Sequence, residues 1–323
     1  MYFDGHSDIW ADVNIKTLEG KTDIIKKYHI DRLRKGQIEG AIFVVWVDPP
    51  FTDDPKKRTA QIFDSLKKEA SVSDDIMIVK SYADIEKAKA AGKFYVIIGM
   101  EGISGLEPDV SEIDRVYDLG VRHIIMSWNE ENDFATGVKG TPGRGLTELG
   151  KAAAKKILSK NMILDVSHGN ENTFWDIVNL ADGPIVASHS NARALCDVPR
   201  NLKDEQLKAL ADLGGVVGLN AFCEFIDPDK ANQSAAGLAK HAAYMADLIG
   251  VEHVCCGFDF DGFLPKSAVS GYATQDSPVT KGLEDCSKVP GFFKELKKTG
   301  FSDAELEMIA YKNWMRIIKE RIG

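Results

Sequence analysis

Eight short apolar or β-branched runs recur along the chain, at residues 2–8, 40–47, 95–101, 123–128, 163–168, 185–189, 216–220 and 253–259, with longer amphipathic stretches between them. The runs are apolar nearly throughout rather than at every second position, the pattern of parallel strands covered by helices. Eight such units match a single (β/α)8 TIM barrel, with a doubly wound open sheet as the competing arrangement. Helices are predicted over 23–35, 55–70, 109–119, 146–160, 204–212 and 235–249, several opened by acidic or small capping residues, and a last one over 303–321. No long Pro/Gly/Ser linker or low-complexity block divides residues 1–323, so they read as one domain. Residues 263–290 are expected to form a loop and short helices over the barrel mouth.

The functional reading comes from where the metal-capable side chains fall relative to these runs. His6 and Asp8 close the first run, Glu101 the third, His168 the fifth, His189 the sixth and Asp259 the eighth. In a TIM barrel the C-terminal strand ends form the face that bears the active site. Residues two apart on a strand project from one side, so the HSD of 6–8 can aim an imidazole and a carboxylate at one ion. Three imidazoles with two carboxylates suit Zn2+ and exceed the ligand set of one tetrahedral catalytic zinc with an open position. Two ions are therefore expected, with Glu101 as the bridge; ions about 3.5–4 Å apart can share and deprotonate a water. Asp259, in GFDFDG, is then free to act as general base, and Asp261, two residues on, is its rival. His29 and His241 fall in helical segments, while His123 and His253 begin strands; all four read as solvated or capping histidines.

Other classes are disfavoured. A formal net charge of -9 provides no general grip on nucleic acid or anionic lipid. No stretch approaches the ~20 apolar residues of a membrane span. No signal peptide is visible at the N-terminus, and the five scattered cysteines suggest reduced thiols, so a cytoplasmic location is expected. Cys255 and Cys256 read as core, and GVKGTPGRG at 137–145 as a wall of the mouth rather than a phosphate loop. Ser188 and Ser190 flank His189 without a GxSxG nucleophile elbow. The sequence leaves a homodimer open.

The motifs DGHSD at 4–8, MEG at 100–102, DVSH at 165–168, ASHSNARALCDVPRN at 187–201, GFDFDG at 257–262 and GLEDCSKVP at 282–290 resemble the membrane (renal-type) dipeptidases, peptidase family M19 of the amidohydrolase superfamily. The resemblance runs nearly end to end. It implies a TIM barrel, two Zn2+ ions and hydrolysis of dipeptides, including those with a C-terminal D-residue. It also implies that His6 and Asp8 hold one zinc, His168 and His189 the other, Glu101 both, and that Asp259 is catalytic. Arg200 falls where the family grips the substrate's terminal carboxylate, a task suited to a guanidinium; Arg193 is the nearby alternative. Where the mammalian enzymes carry a histidine that contacts the scissile group, this chain reads IIMSWNEEN, placing Trp128 there and leaving Asn129 as a further substrate contact. The alternatives are another binuclear-metal amidohydrolase acting on N-acyl amino acids, lactams or modified peptides, and a non-catalytic zinc-binding barrel.

Overall fold

Among the described residues nine strands form one parallel sheet: β1 (Tyr2–Ser7), β2 (Ile38–Trp46), β3 (Ile76–Ile78), β4 (Phe94–Glu101), β5 (Val121–Ile125), β6 (Ile163–Asp165), β7 (Val186–Ala187), β8 (Val216–Leu219) and β9 (Val254–Cys256). The computed structural model describes residues 1–275 and 278–323; Asp276 and Ser277, within the expected 263–290 loop, lie outside the described residues. The strand order β1-β2-β4-β5-β6-β7-β8-β9 never reverses, which excludes the doubly wound alternative and leaves a nearly closed eight-stranded barrel. β3 was not anticipated. It pairs with the first half of β4, at Phe94, Tyr95 and Val96, while β5 pairs with the second half, Ile98 to Glu101.

The seam between β9 and β1 is bridged by side chains. The Asp4 carboxylate accepts the Phe258 N–H at 2.9 Å, and the Trp314 indole donates to the Cys256 carbonyl at 2.8 Å. The C-terminal helix Asn313–Ile322 lies across the N-terminal ends of the strands. There Asn313 donates to the Val251 and Val254 carbonyls, Arg316 to that of Gly214 and Arg321 to that of Pro184.

Helices Asp204–Asp212 and Ala235–Ile249 match their predicted bounds, and the stretch 303–321 is helical but passes through a π turn at Met308–Lys312. Helix Ile9–Leu18 went unrecognised because Ala11 to Lys16 alternate apolar and polar residues, the period of a strand, and polar Asp12 and Asn14 are buried instead of forming a solvent face. The predicted strands 163–168, 185–189 and 253–259 overshoot. β6, β7 and β9 end two or three residues earlier, and His168 and Asp259 adopt left-handed φ of 66° and 59°, which no strand accommodates. Within the described residues of 263–290 there is a short helix, Lys266–Val269, and a further helix, Val289–Lys298, begins there.

Three histidines expected at the surface are buried. His29 pairs with Asp12 at 2.7 Å, His241 with the Ile226 carbonyl at 2.7 Å, and His123 with Asp165 at 2.7 Å. Each imidazole has a buried polar partner that the linear sequence does not reveal.

Candidate active site

Strand periodicity carries Glu101 to the top of the barrel interior. Along β4, Val96, Ile98 and Met100 pack under the helices, while Tyr95 and Ile97 join the other core cluster, with Gly99 and Glu101 continuing that inward face. β1 reaches the same place differently. Phe3 and His6, three residues apart, cannot share a face of a regular strand, and the ladder with β2 is irregular between Asp4 and Ser7. That irregularity re-aims His6 inward, and Asp8 follows it as the residue that precedes helix Ile9–Leu18.

Six side chains named from the sequence converge here. Glu101 Oε2 lies 3.5 Å from His6 Nε2, while Oε1 lies 2.7 Å from His168 Nε2 and 3.5 Å from His189 Nε2. One carboxylate therefore divides its oxygens between two sets of imidazoles. Asp8 Oδ1 and Asp259 Oδ1 stand 4.0 and 3.7 Å from His6 Nε2. Two groups are close enough for an ion to be shared: His6, Glu101 and His189, and His6, Asp8 and Asp259. Geometry alone thus places Asp259 among the metal-capable groups.

The protonation states of His168 and His189 suit ligation. Burial pulls His168 down to about 4, helped by the nearby Arg200 guanidinium, and burial also drives His189 well below the usual imidazole value. Both rings are neutral near pH 7, the form that donates a lone pair. Burial works against a charged His6 too, but Glu101, Asp259 and Asp8 outweigh it and hold it up at about 10. His6 thus stands where the surrounding carboxylates demand a cation. Burial and the neighbouring Glu101 raise Asp8 well above the carboxylate range.

The Nε2 atoms of His6, His168 and His189, with Asp8 Oδ1, are buried and have no hydrogen-bond partner among the described residues. His168 Nδ1 meets Asn129 Oδ1 at 2.9 Å, so that nitrogen carries the proton and Nε2 presents its lone pair to a carboxylate oxygen. Two acceptors facing each other at close range are reconciled by a cation between them. Orphaned buried lone pairs of this kind fit a metal centre.

A cavity of about 270 Å³ opens over these groups, lined by Asp8, Glu101, His168, Arg200 and Asp259 on its polar side and by Trp46, Trp128, Phe222, Phe225 and Tyr272 among its apolar walls. Val138 and Lys139, from the GVKGTPGRG segment, complete one side. Arg200 is buried, donates to the His189 carbonyl at 3.2 Å and lies over the Phe225 ring at 5.6 Å. Burial lowers it to about 10, so it stays cationic at neutral pH. Arg193 pairs with exposed Asp197 at 2.6 Å and does not line the cavity. Asp259 Oδ2 accepts from Asn220 at 3.1 Å, and burial raises its carboxyl, with Glu101 adding and His6 and Arg200 opposing. Asp261 is held by the Tyr272 hydroxyl at 2.9 Å and raised by burial to about 6.

Asn129 lines the cavity but commits its Oδ1 to His168. Several wall residues were not named from the sequence. Trp46 ends β2 and was accessible to the strand-end rule that found Glu101, whereas Tyr272, Phe222 and Phe225 carry no local signal of their place. Among the described residues no helix is long and apolar enough to cross a membrane.

The model of the family "Membrane dipeptidase (Peptidase family M19)" matches residues 1–322. A Klebsiella pneumoniae protein described only by its position in the pqqA 5' region is 35% identical over 249 residues, covering 74% of this chain and 86% of its own. An uncharacterized dipeptidase of Schizosaccharomyces pombe is 28% identical over 344 residues, covering 98% of this chain and 80% of its own. Among solved structures, a Rhodobacter sphaeroides metallopeptidase, liganded with a phosphinate mimic of the dipeptide L-Ala-D-Ala, superposes with TM-score 0.85 at 24% identity, covering 100% of this chain and 99% of that one. With a family model spanning nearly every residue and the barrel fold reproduced in solved structures, the chain belongs to the membrane dipeptidase family, peptidase family M19.

Proposed function

We propose that the protein is a binuclear zinc dipeptidase, acting as a single domain over residues 1–323 on small dipeptides, including those with a C-terminal D-residue. One observation carries this reading: Glu101 splits its two oxygens between His6 on one side and His168 and His189 on the other, beneath a cavity that buried Arg200 also lines. His6 and Asp8 would hold one zinc, His168 and His189 the second, and Glu101 both. Zinc bound there would supply Lewis-acid chemistry that activates water near neutral pH. Arg200 binds the substrate's terminal carboxylate, and its position over Phe225 limits the directions the guanidinium can take. Asp259, oriented by the Asn220 amide, takes the proton of the attacking water and returns it to the leaving amine. The aromatic walls exclude bulk water around the scissile bond, and Trp128 shapes the pocket without acid–base capacity. Asn129 sets the ring orientation and tautomer of His168.

The five free thiols support a reducing, cytoplasmic setting for this activity. The test is hydrolysis of a panel of L-L and L-D dipeptides by purified protein with its metal content measured in parallel, a phosphinate dipeptide mimic serving as inhibitor. Two zinc equivalents with turnover of dipeptides, but not of N-acyl amino acids or lactams, is the expected result. Turnover confined to the latter substrates would move the protein to another activity within the superfamily.

A further inference from the structure

We propose that Asp165, held in place by His123, is the positioning residue that fixes the His168 and His189 imidazoles relative to one another, an inference that rests on the proposed metal site and deepens it. β6 and β7 share a single paired position, Asp165 with Val186, before both strands end. The chain then leaves the ladder to reach His168 and His189, and something must take up the amides. Asp165 does so. It accepts from the Ser167 N–H at 2.7 Å and from the Ser188 N–H at 3.2 Å to each oxygen, and Ser167 and Ser188 directly precede the two histidines. The Ser167 hydroxyl in turn accepts the His189 N–H at 3.3 Å, and Ser188 Oγ lies 2.8 Å from His189 Nδ1.

His123 closes the arrangement from β5, with Nε2 2.7 Å from Asp165 Oδ2 and Nδ1 without a partner. Both residues are fully buried and neither lines the cavity, so neither touches substrate. The room for the imidazole is created by Gly99, where a Cβ would stand 2.7 Å from His123 Nδ1. A buried carboxylate is costly unless its lone pairs are filled, and here backbone amides from two loops and an imidazole fill them. Burial raises the Asp165 carboxyl, but His123, His189 and the Ser188 contact outweigh it, and the group lies below the usual carboxylate range. An apolar residue would pack the same space while leaving two loop amides unpaired.

The test is zinc affinity, read by chelator competition on metal-stripped protein. Asp165→Asn keeps the size but replaces one acceptor oxygen with a donor that faces the loop amides. It should weaken binding of one of the two zinc ions about 10–100-fold, the usual consequence of losing a group that orients a ligand, and should change the other less. His123→Gln, which can still donate to Asp165, should stay within a few-fold of the parent, whereas His123→Leu should behave like Asp165→Asn. A purely structural role would lower the melting temperature of the metal-free protein and leave zinc affinity unchanged; that outcome overturns the proposal. Imidazole 15N resonances of metal-free protein give a readout independent of zinc: those of His168 and His189 should shift in Asp165→Asn, and those of His29 and His241 should not. Failure of the parent to bind zinc would remove the proposed function, while the resonances would still decide the positioning role. If Asp165→Asn does not fold, the two His123 variants decide it.

Discussion

The indole rings of Trp46 and Trp128 meet edge to face with centroids 5.4 Å apart, and Tyr272 closes on both at 6.1 and 6.2 Å. Trp46 and Trp128 also border a second cavity, of about 590 Å³, whose lining includes Glu130, Glu131 and Asp133. The pair therefore forms a wall between an apolar chamber beside Arg200 and an acidic one, with Glu101 reached from both.

Trp128→His tests that wall. The smaller ring removes an aromatic contact with Trp46 and Tyr272, so the variant should fold, keep its metals and shift selectivity among dipeptides by about 1–3 kcal/mol in ΔΔG‡, the range for one changed pocket contact. Ratios of kcat/KM across the dipeptide panel are the measurement. A collapse of kcat with metals retained would give the indole a direct part in the chemistry.

Arg200→Ala should act on binding. A hydrogen bond to a charged group contributes about 1.5–3 kcal/mol, so loss of the guanidinium should raise KM for free dipeptides by about 10–100-fold. Substrates amidated at the C-terminus should lose far less. Equal losses on the two substrate types would detach Arg200 from the carboxylate.

Metal removal should destabilise the protein as well as silence it. With the Nε2 lone pairs of His168 and His189 left facing the Glu101 carboxylate, the stripped protein keeps buried acceptors unsatisfied. Native-state binding at 1,000 times Kd is worth about 4 kcal/mol, so chelation should lower Tm by several degrees and added zinc should restore it. An unchanged Tm after complete removal, checked by mass spectrometry, would contradict a structural share for the metals.

The strand ends were legible because parallel strands buried on both faces leave continuous apolar runs, and polar residues stand out where the runs stop. Glu101 needed nothing more. His6 is different: the two-residue spacing to Asp8 was visible, but its inward direction depends on the irregularity between Asp4 and Ser7, which no residue type announces. His123 and Asp165 are long-range partners whose pairing follows from register between β5 and β6. Each looked ordinary alone. Tyr272 reaches the cavity from an excursion that follows β9, so only the folded path of that excursion puts it there.

The sharpest test concerns Asp259, because the geometry groups it with His6 and Asp8 as closely as a ligand. Its left-handed backbone, φ 59°, and the Asn220 hydrogen bond hold the carboxylate at the cavity wall, where it can reach both the centre and the substrate. Asp259→Asn preserves size and one acceptor oxygen but cannot take up a proton near neutral pH. Positioned acid–base groups contribute about 10²–10⁴-fold, so kcat should fall within that span at unchanged zinc content. Glu101→Gln should differ in order of events. Loss of the shared carboxylate charge weakens occupancy first, and activity then follows the metal. Asp261→Asn, tied to Tyr272 rather than to the centre, should leave zinc content intact and reduce kcat much less than Asp259→Asn. Zinc stoichiometry and kcat measured on the same samples separate the roles. If Asp259→Asn loses zinc it is a ligand, and if it keeps full activity with metal the proton passes through another group, for which Asp261 is the residue in place.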